Sequence, residues 1–128
     1  AIIHKVHQAK IEGAPNVEIW GNGTARREFM YAPDLADAVF RAATDIETCP
    51  ELLNIGLGHD FTINEYYSEV ADVINWQGQF THDLTRPVGM DQKLCDTRRA
   101  TEWGWSAPTS LRVGIEETYK FYCERFGK

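Results

Sequence analysis

Residues 51–83 read ELLNIGLGHDFTINEYYSEVADVINWQGQFTHD, and this stretch decides the fold. Leu52-Leu53-Asn54-Ile55 is a short apolar run of strand type, and Gly56-Leu57-Gly58 breaks it with a turn. Thr62-Ile63-Asn64-Glu65 comes next, a hydroxyl with a glutamate three residues later, which is the capping box that opens a helix. That helix carries Ile63, Tyr66 or Tyr67, Val70, Val73 and Ile74 at helical spacing and stops before Gly78. Gln79 to Asp83 then reads as a second strand.

The same alternation continues on both sides. Ala1 to Ile11 has a helical pattern, with Ile2, Ile3, Val6 and Ala9 or Lys10 on one side and Gly13 ending it. Val17 to Trp20 alternates like a strand, Gly21-Asn22-Gly23 makes a turn, and Glu28 to Tyr31 reads as another strand. Pro33-Asp34 opens a helix to about Thr44, with Leu35, Ala38, Val39 and Ala42 inward and Asp34 as its cap. Downstream, Arg86 to Asp91 is a loop, Asp96 caps a short helix ending at Gly104, and Ser110 caps the last helix. The apolar face of that last helix is Leu111, Ile115, Thr118 or Tyr119, and Tyr122. The pattern predicts a small compact α/β domain over residues 1–128, with several helices around a short mixed sheet. The first helix has no capping residue before Ala1, so a truncated chain is expected.

The chain has 128 residues, 43% of them hydrophobic and 25% charged, in the range of ordinary globular proteins. A net charge of −6 argues against nucleic acid as a partner, and any bound phosphate must meet a local basic cluster. No apolar run has bilayer length and no signal peptide is visible, so no membrane partner is expected. Cys49, Cys95 and Cys123 form no Cys-x-x-Cys and read as reduced, cytoplasmic thiols. His4 and His7 share a helix face, but no acidic partner stands at zinc-site spacing, and no metal site is expected.

Gly56-Leu57-Gly58 imitates the start of a dinucleotide fingerprint, and Asp83 sits at a plausible later acidic position. Phe61 takes the place of the third glycine, however, and the helix begins too late to point its amino end at a pyrophosphate. The stretch is read as a strand-ending turn. Gly21-Asn22-Gly23 is a poorer match, with Arg26 at the third position. Reduction in the short-chain dehydrogenase manner needs Tyr-x-x-x-Lys. Tyr31, Tyr66, Tyr67, Tyr119 and Tyr122 are followed at that spacing by Leu35, Val70, Ala71, Cys123 and Phe126. No catalytic constellation is recognisable.

Trp20-Gly21-Asn22-Gly23-Thr24-Ala25-Arg26-Arg27-Glu28-Phe29 is the stretch with binding chemistry. Trp offers a flat face to a base, and Arg grips phosphate with two parallel hydrogen bonds. The residues alone also fit a surface hairpin with solvated arginines.

From Trp20 to Ala38 the sequence resembles the substrate loop of GDP-L-fucose synthases, NADPH-dependent epimerase-reductases of the extended short-chain dehydrogenase family. Asn54-Ile55-Gly56-Leu57-Gly58 with Phe61-Thr62-Ile63, Lys93-Leu94-Cys95-Asp96, Gly104-Trp105 and the Ser110–Ile115 segment resemble later parts of the same family. The resemblance implies that Trp20 and Arg27 contact a GDP-sugar and that Lys93 lies near the diphosphate. It also puts Lys5 where the family has an arginine, keeping the charge without the fork. Val88 stands where the family has an aspartate, which an apolar side chain cannot replace as an acceptor. The family's Ser, Tyr and Lys catalytic residues, its glycine-rich NADPH loop and its epimerising Cys and His would lie upstream of Ala1. The implied reading is the substrate-binding part of such an enzyme without its Rossmann domain. That part binds no cofactor itself, while NADP(H) belongs to the parent. A missing or separate Rossmann domain is the expected partner. A stand-alone nucleotide-sugar-binding module and an inert remnant are the alternatives. A domain face left uncovered, on Ile2, Ile3 and Val6 or on Leu35, Val39 and Phe40, implies a homodimer.

Overall fold

The structure is a computed structural model and describes residues 1–126. Helix α1 (Ile2–Glu12) buries Ile3, Val6, His7 and Ala9 and ends at Gly13. Gly13 has φ 65°, the left-handed conformation in which glycine closes a helix, and its N–H donates to the carbonyls of Ala9 and Lys10. Strand β1 (Asn16–Trp20) alternates strictly, with Val17 and Ile19 buried. A glycine turn leads to the two-residue strand β2 (Arg26–Arg27) and then to helix α2 (Ala32–Thr44). Strand β3 (Phe61–Thr62) runs directly into helix α3 (Ile63–Ile74), where Thr62 and Glu65 form the complete capping box. Strands β4 (Gln79–Asp83) and β5 (Gln92–Lys93), the short helix α4 (Arg98–Glu102) and helix α5 (Leu111–Phe126) complete the order.

The strands form two sheets. β1 and β4 pair in parallel, from Asn16 opposite Gln79 to Trp20 opposite Asp83. β2 is the centre of a second, mixed sheet, antiparallel to β3 and parallel to β5, with Arg27 opposite both Phe61 and Lys93. The main core lies between α1, α3, α5 and the β1–β4 pair, around Val6, Ile19, Val70, Ile74, Trp76 and Ile115. A second, smaller cluster joins Ala38, Ala100 and Trp105 with half-buried Met30, Leu53, Ile55 and Trp103. His4 and His7 are hydrogen-bonded to Tyr122 and Tyr119 of α5, at 2.7 and 3.1 Å. The cysteines are free thiols, with Cys95 exposed. Among the described residues no helix is long and apolar enough to cross a membrane.

The fold class is the one read from the sequence, and four local expectations are corrected. The second strand is Arg26–Arg27, not Glu28–Tyr31, because the Glu28 side chain draws two other segments together, the 56–58 turn and Cys95, where a ladder would continue. Leu52–Ile55 has no strand beside it and is held by side chains instead, Asn54 to the Asp96 carbonyl and Arg99 to the Leu52 carbonyl. Asp34 does not cap α2. It is buried and accepts the N–H and hydroxyl of Thr109, tying α2 to the segment before α5. α2 buries Asp34 and Ala38 only, so Leu35 and Val39 face solvent rather than the core.

Candidate functional site

The alternation of β1 buries Val17 and Ile19 and turns Trp20 outward at the strand's end, with 60% of its surface exposed. The parallel register sets Trp20 beside Asp83, and the Gly21 N–H donates to the Asp83 carbonyl at 2.8 Å. The Asp83 carboxylate organises the start of the loop after β4. It accepts from the Thr85 hydroxyl and N–H at 2.6 and 3.0 Å and from Arg86 Nε at 3.2 Å. The Thr85 bonds, with Arg86 contributing, hold its pKa below the usual carboxylate value. The Arg86 guanidinium thereby lies over the Trp20 ring, 5.0 Å from its centroid, a cation–π contact on an otherwise open face.

The 84–91 loop is laid over the glycine turn. Gly21 has φ 70°, and a Cβ there would come within 2.9 Å of Val88 Cγ2, so the close approach depends on glycine. At its far end the loop is held by Arg27, whose guanidinium donates to the Met90 carbonyl and to the Arg26 carbonyl, both at 2.6 Å. Lys93 is the exposed register partner of Arg27 on β5. Neighbouring strands run about 4.8 Å apart, so the two basic residues stand side by side on the ladder.

Of the four residues expected at the site, Trp20 and Arg27 meet through one loop, and Arg27 and Lys93 meet across one ladder. Lys5 stands apart. In this parallel pair Gln79 donates to Pro15 and Gly21 donates to Asp83, which leaves the Glu18 carbonyl pointing off the free edge of β1. The Lys5 ammonium caps that carbonyl, beside a groove of about 510 Å³ between α1 and β1. It reaches the others only along the strand. Arg86 and Glu28 were not singled out from the sequence. Arg86 carries a signal only once β1 and β4 are known to pair with Trp20 opposite Asp83.

The glycine turn at 56–58 also has a clear geometry. Its Leu57 and Gly58 N–H groups both donate to Glu28 Oε1 at 2.9 Å, and the Cys95 N–H donates to Oε2 at 2.9 Å. The turn therefore cradles an anion, but that anion is the chain's own carboxylate. Partial burial pushes the Glu28 pKa up, the bonds from Cys95, Gly58 and Leu57 pull it down, and the net shift is downward. α3 starts at Ile63, well past the turn, so its positive end does not serve these N–H groups. Among the described residues no group of three or more His, Cys, Asp or Glu is placed to hold a metal.

Residues 1–56 match the NAD dependent epimerase/dehydratase family. The chain is 49% identical over 122 residues to a GDP-L-fucose synthase of Azorhizobium caulinodans, covering 95% of this chain and 39% of that one. It is 44% identical over 122 residues to the GDP-L-colitose synthase of Yersinia pseudotuberculosis, covering 95% and 40%. In three dimensions it matches a GDP-6-OMe-4-keto-L-xylo-heptose reductase from C. jejuni with a TM-score of 0.87 and 25% identity, over 97% of this chain and 47% of that one. The match to the epimerase/dehydratase family is carried by less than half of the chain. Its sequence relatives include GDP-L-fucose synthases and a GDP-L-colitose synthase, and the chain spans about two fifths of the length of the curated relatives it matches.

Proposed function

We propose that residues 1–128 are a single substrate-binding domain that holds the GDP end of a GDP-sugar. The whole enzyme would be an NADPH-dependent GDP-4-keto-6-deoxymannose epimerase-reductase, in which a dinucleotide-binding domain supplies NADP(H) and the catalytic groups. The observation that carries this reading is the 84–91 loop. It gathers Trp20 through Arg86 and Arg27 through Met90, and so concentrates positive charge beside an exposed indole in an acidic chain. Trp20 stacks on the base. Arg27 and Lys93 meet the diphosphate, with Arg86 as a third cation at the base–phosphate junction and Lys5 at the rim. Val88 packs on Gly21 and offers no acceptor, so the nucleotide is held by charge and stacking on this side. Binding the nucleotide end fixes the sugar for chemistry elsewhere, which is the use of remote binding energy to position reacting atoms.

With this domain alone, GDP binds with a Kd on the order of 0.1–1 mM. Arg27→Ala weakens it by roughly 1.5–3 kcal/mol, as expected for a charge-assisted bond. Calorimetric titration of both proteins tests this, and equal affinity for GDP would sink the site assignment. The isolated chain does not oxidise NADPH in the presence of the keto sugar nucleotide, and turnover in that assay would show that a complete catalytic site is present.

The domain is cytoplasmic, consistent with its free thiols, and it self-associates. α2 presents Leu35, Val39 and Phe40 to solvent, with Phe40 70% exposed, and Ile46 and Leu52 in the segment after α2 are exposed as well. A second copy covers this face in a two-fold dimer. α1 contributes no such face, because Ile3 and Val6 are buried in the main core and Ile2 packs against it.

A further inference from the structure

The mixed sheet that carries Arg27 and Lys93 is too short to support itself. Its strands have two residues each, and so small a ladder is not stable on its own. It also sets two cations opposite each other, an arrangement that pushes the strands apart. Carboxylates at its two ends hold it together. At one end Asp60 accepts from Arg26 Nε at 2.7 Å and from Gln92 Nε2 at 2.5 Å, joining all three strands. At the other end Glu28, the residue after Arg27, accepts from the turn that leads to β3 and from Cys95, two residues beyond Lys93.

We infer that Glu28 is a positioning residue for the anion site: by bonding the Cys95 N–H it fixes the distance of Lys93 from Arg27. The inference rests on the reading of Arg27 and Lys93 as diphosphate ligands. The geometry separates this role from the support of the turn. One carboxylate oxygen serves Leu57 and Gly58, and the other serves Cys95 alone. Glutamine has a single carbonyl oxygen for both tasks. The orientation that keeps two of the three bonds turns its NH2 toward the Cys95 N–H, donor against donor. Glu28→Gln therefore releases β5 while the 56–58 turn stays bound.

GDP titrations followed by amide chemical shifts are made on the wild-type chain, Glu28→Gln, Lys93→Ala and the double variant. Glu28→Gln and Lys93→Ala each weaken GDP binding about tenfold. In the double variant the two losses do not add, because Glu28 acts through Lys93 and the second substitution costs less than about twofold. Faster amide exchange at Cys95, with Leu57 and Gly58 unchanged, accompanies the Glu28→Gln loss. Unchanged affinity in Glu28→Gln overturns the inference, as does full additivity in the double variant, since a general loosening of the fold adds to any second loss. If Glu28→Gln does not fold, the cycle is run with Glu28→Asp, and failure of both to fold reduces Glu28 to a purely structural role. A wild-type chain that binds no GDP at millimolar concentration instead fails the site reading itself, a result visible before any variant is measured.

Discussion

The two apolar clusters of this domain are built on different terms. The body made by α1, α3, α5 and the β1–β4 pair buries whole aliphatic side chains, with Val6, Val70, Ile19 and Ile74 at 0–1% exposure. The region of α2, residues 45–55 and α4 buries Ala38, Ala100 and Trp105, and little else completely. Polar contacts hold it instead. Arg41 donates to the carbonyls of Trp103 and Gly104 while lying over the Trp103 ring, Trp105 donates to Asp37, and Trp103 donates to Thr48. Its larger apolar side chains, Leu35, Val39, Phe40, Ile46 and Leu52, are on the outside. The first region has a closed aliphatic centre, although Ile11 of α1 and Val113, Phe121 and Phe126 of α5 remain exposed on its outside. The second has the sequence of an interior and the exposure of a surface, which is the signature of an element made to be covered.

Truncation separates the two regions sharply. Ile19→Ala removes a side chain at 1% exposure from between two helices and a strand, and it costs about 2–5 kcal/mol. In a domain whose total stability is about 5–15 kcal/mol, that brings the chain close to unfolding. Chemical denaturation measures it, and a loss below about 1 kcal/mol would mean that the main body is not tightly packed. Thr62→Ala is next in size. It removes the acceptor of the Glu65 N–H and half of the capping box, for about 1 kcal/mol, and the same denaturation midpoints report it.

Acid tests the polar scaffolding of the site. Glu28 and Asp83 both titrate below the usual carboxylate values. A depressed carboxylate stabilises the fold above its unfolded pKa, and that contribution is lost as the pH falls through its folded value. Stability is therefore flat from neutrality down to about pH 5 and declines below it. Glu28→Gln is less stable than the wild type at neutral pH, and the gap narrows in acid as the wild-type carboxylate is protonated. A gap that stays constant from pH 7 to about pH 3 would show that the charge on Glu28 contributes nothing.

The main body was legible in the sequence because its signals are local and periodic. The Thr62–Glu65 capping box, the alternation of Val17 and Ile19, the run Gln79–Asp83 and the glycine after α1 all appear where they were read. The second region misled for a physical reason. Periodicity marks which residues of α2 are apolar but not whether anything lies against them, so Leu35 and Val39 read as inward. Leu52–Ile55 has strand composition without a strand to pair with. At the proposed site, residue type and family pattern point to Trp20, Arg27 and Lys93. Arg86 over Trp20 and the Glu28 clamp depend on contacts between residues more than sixty positions apart, such as Trp20 with Arg86 and Glu28 with Cys95. No spacing rule reports those.

The smallest expected change in stability is the most informative about the second region. Phe40 lies on the outer face of α2 at 70% exposure, so Phe40→Ser removes almost no buried contact within the chain. Its effect on the stability of the monomer is within about 0.5 kcal/mol, as for other surface substitutions. Its effect on assembly is much larger, because a hydroxyl in place of the most exposed apolar residue of α2 must be desolvated without a partner when a second copy covers it. Sedimentation at micromolar concentration separates the two. The wild-type chain sediments as a dimer, Phe40→Ser as a monomer, and Val113→Ser, an exposed change on α5 away from the patch, leaves the dimer intact. A wild-type monomer would show that the α2 face does not select a second copy, and a dimer that survives Phe40→Ser would place its contact elsewhere. If instead Phe40→Ser unfolds the chain, Phe40 is part of the core, and the contrast between the two regions fails with it.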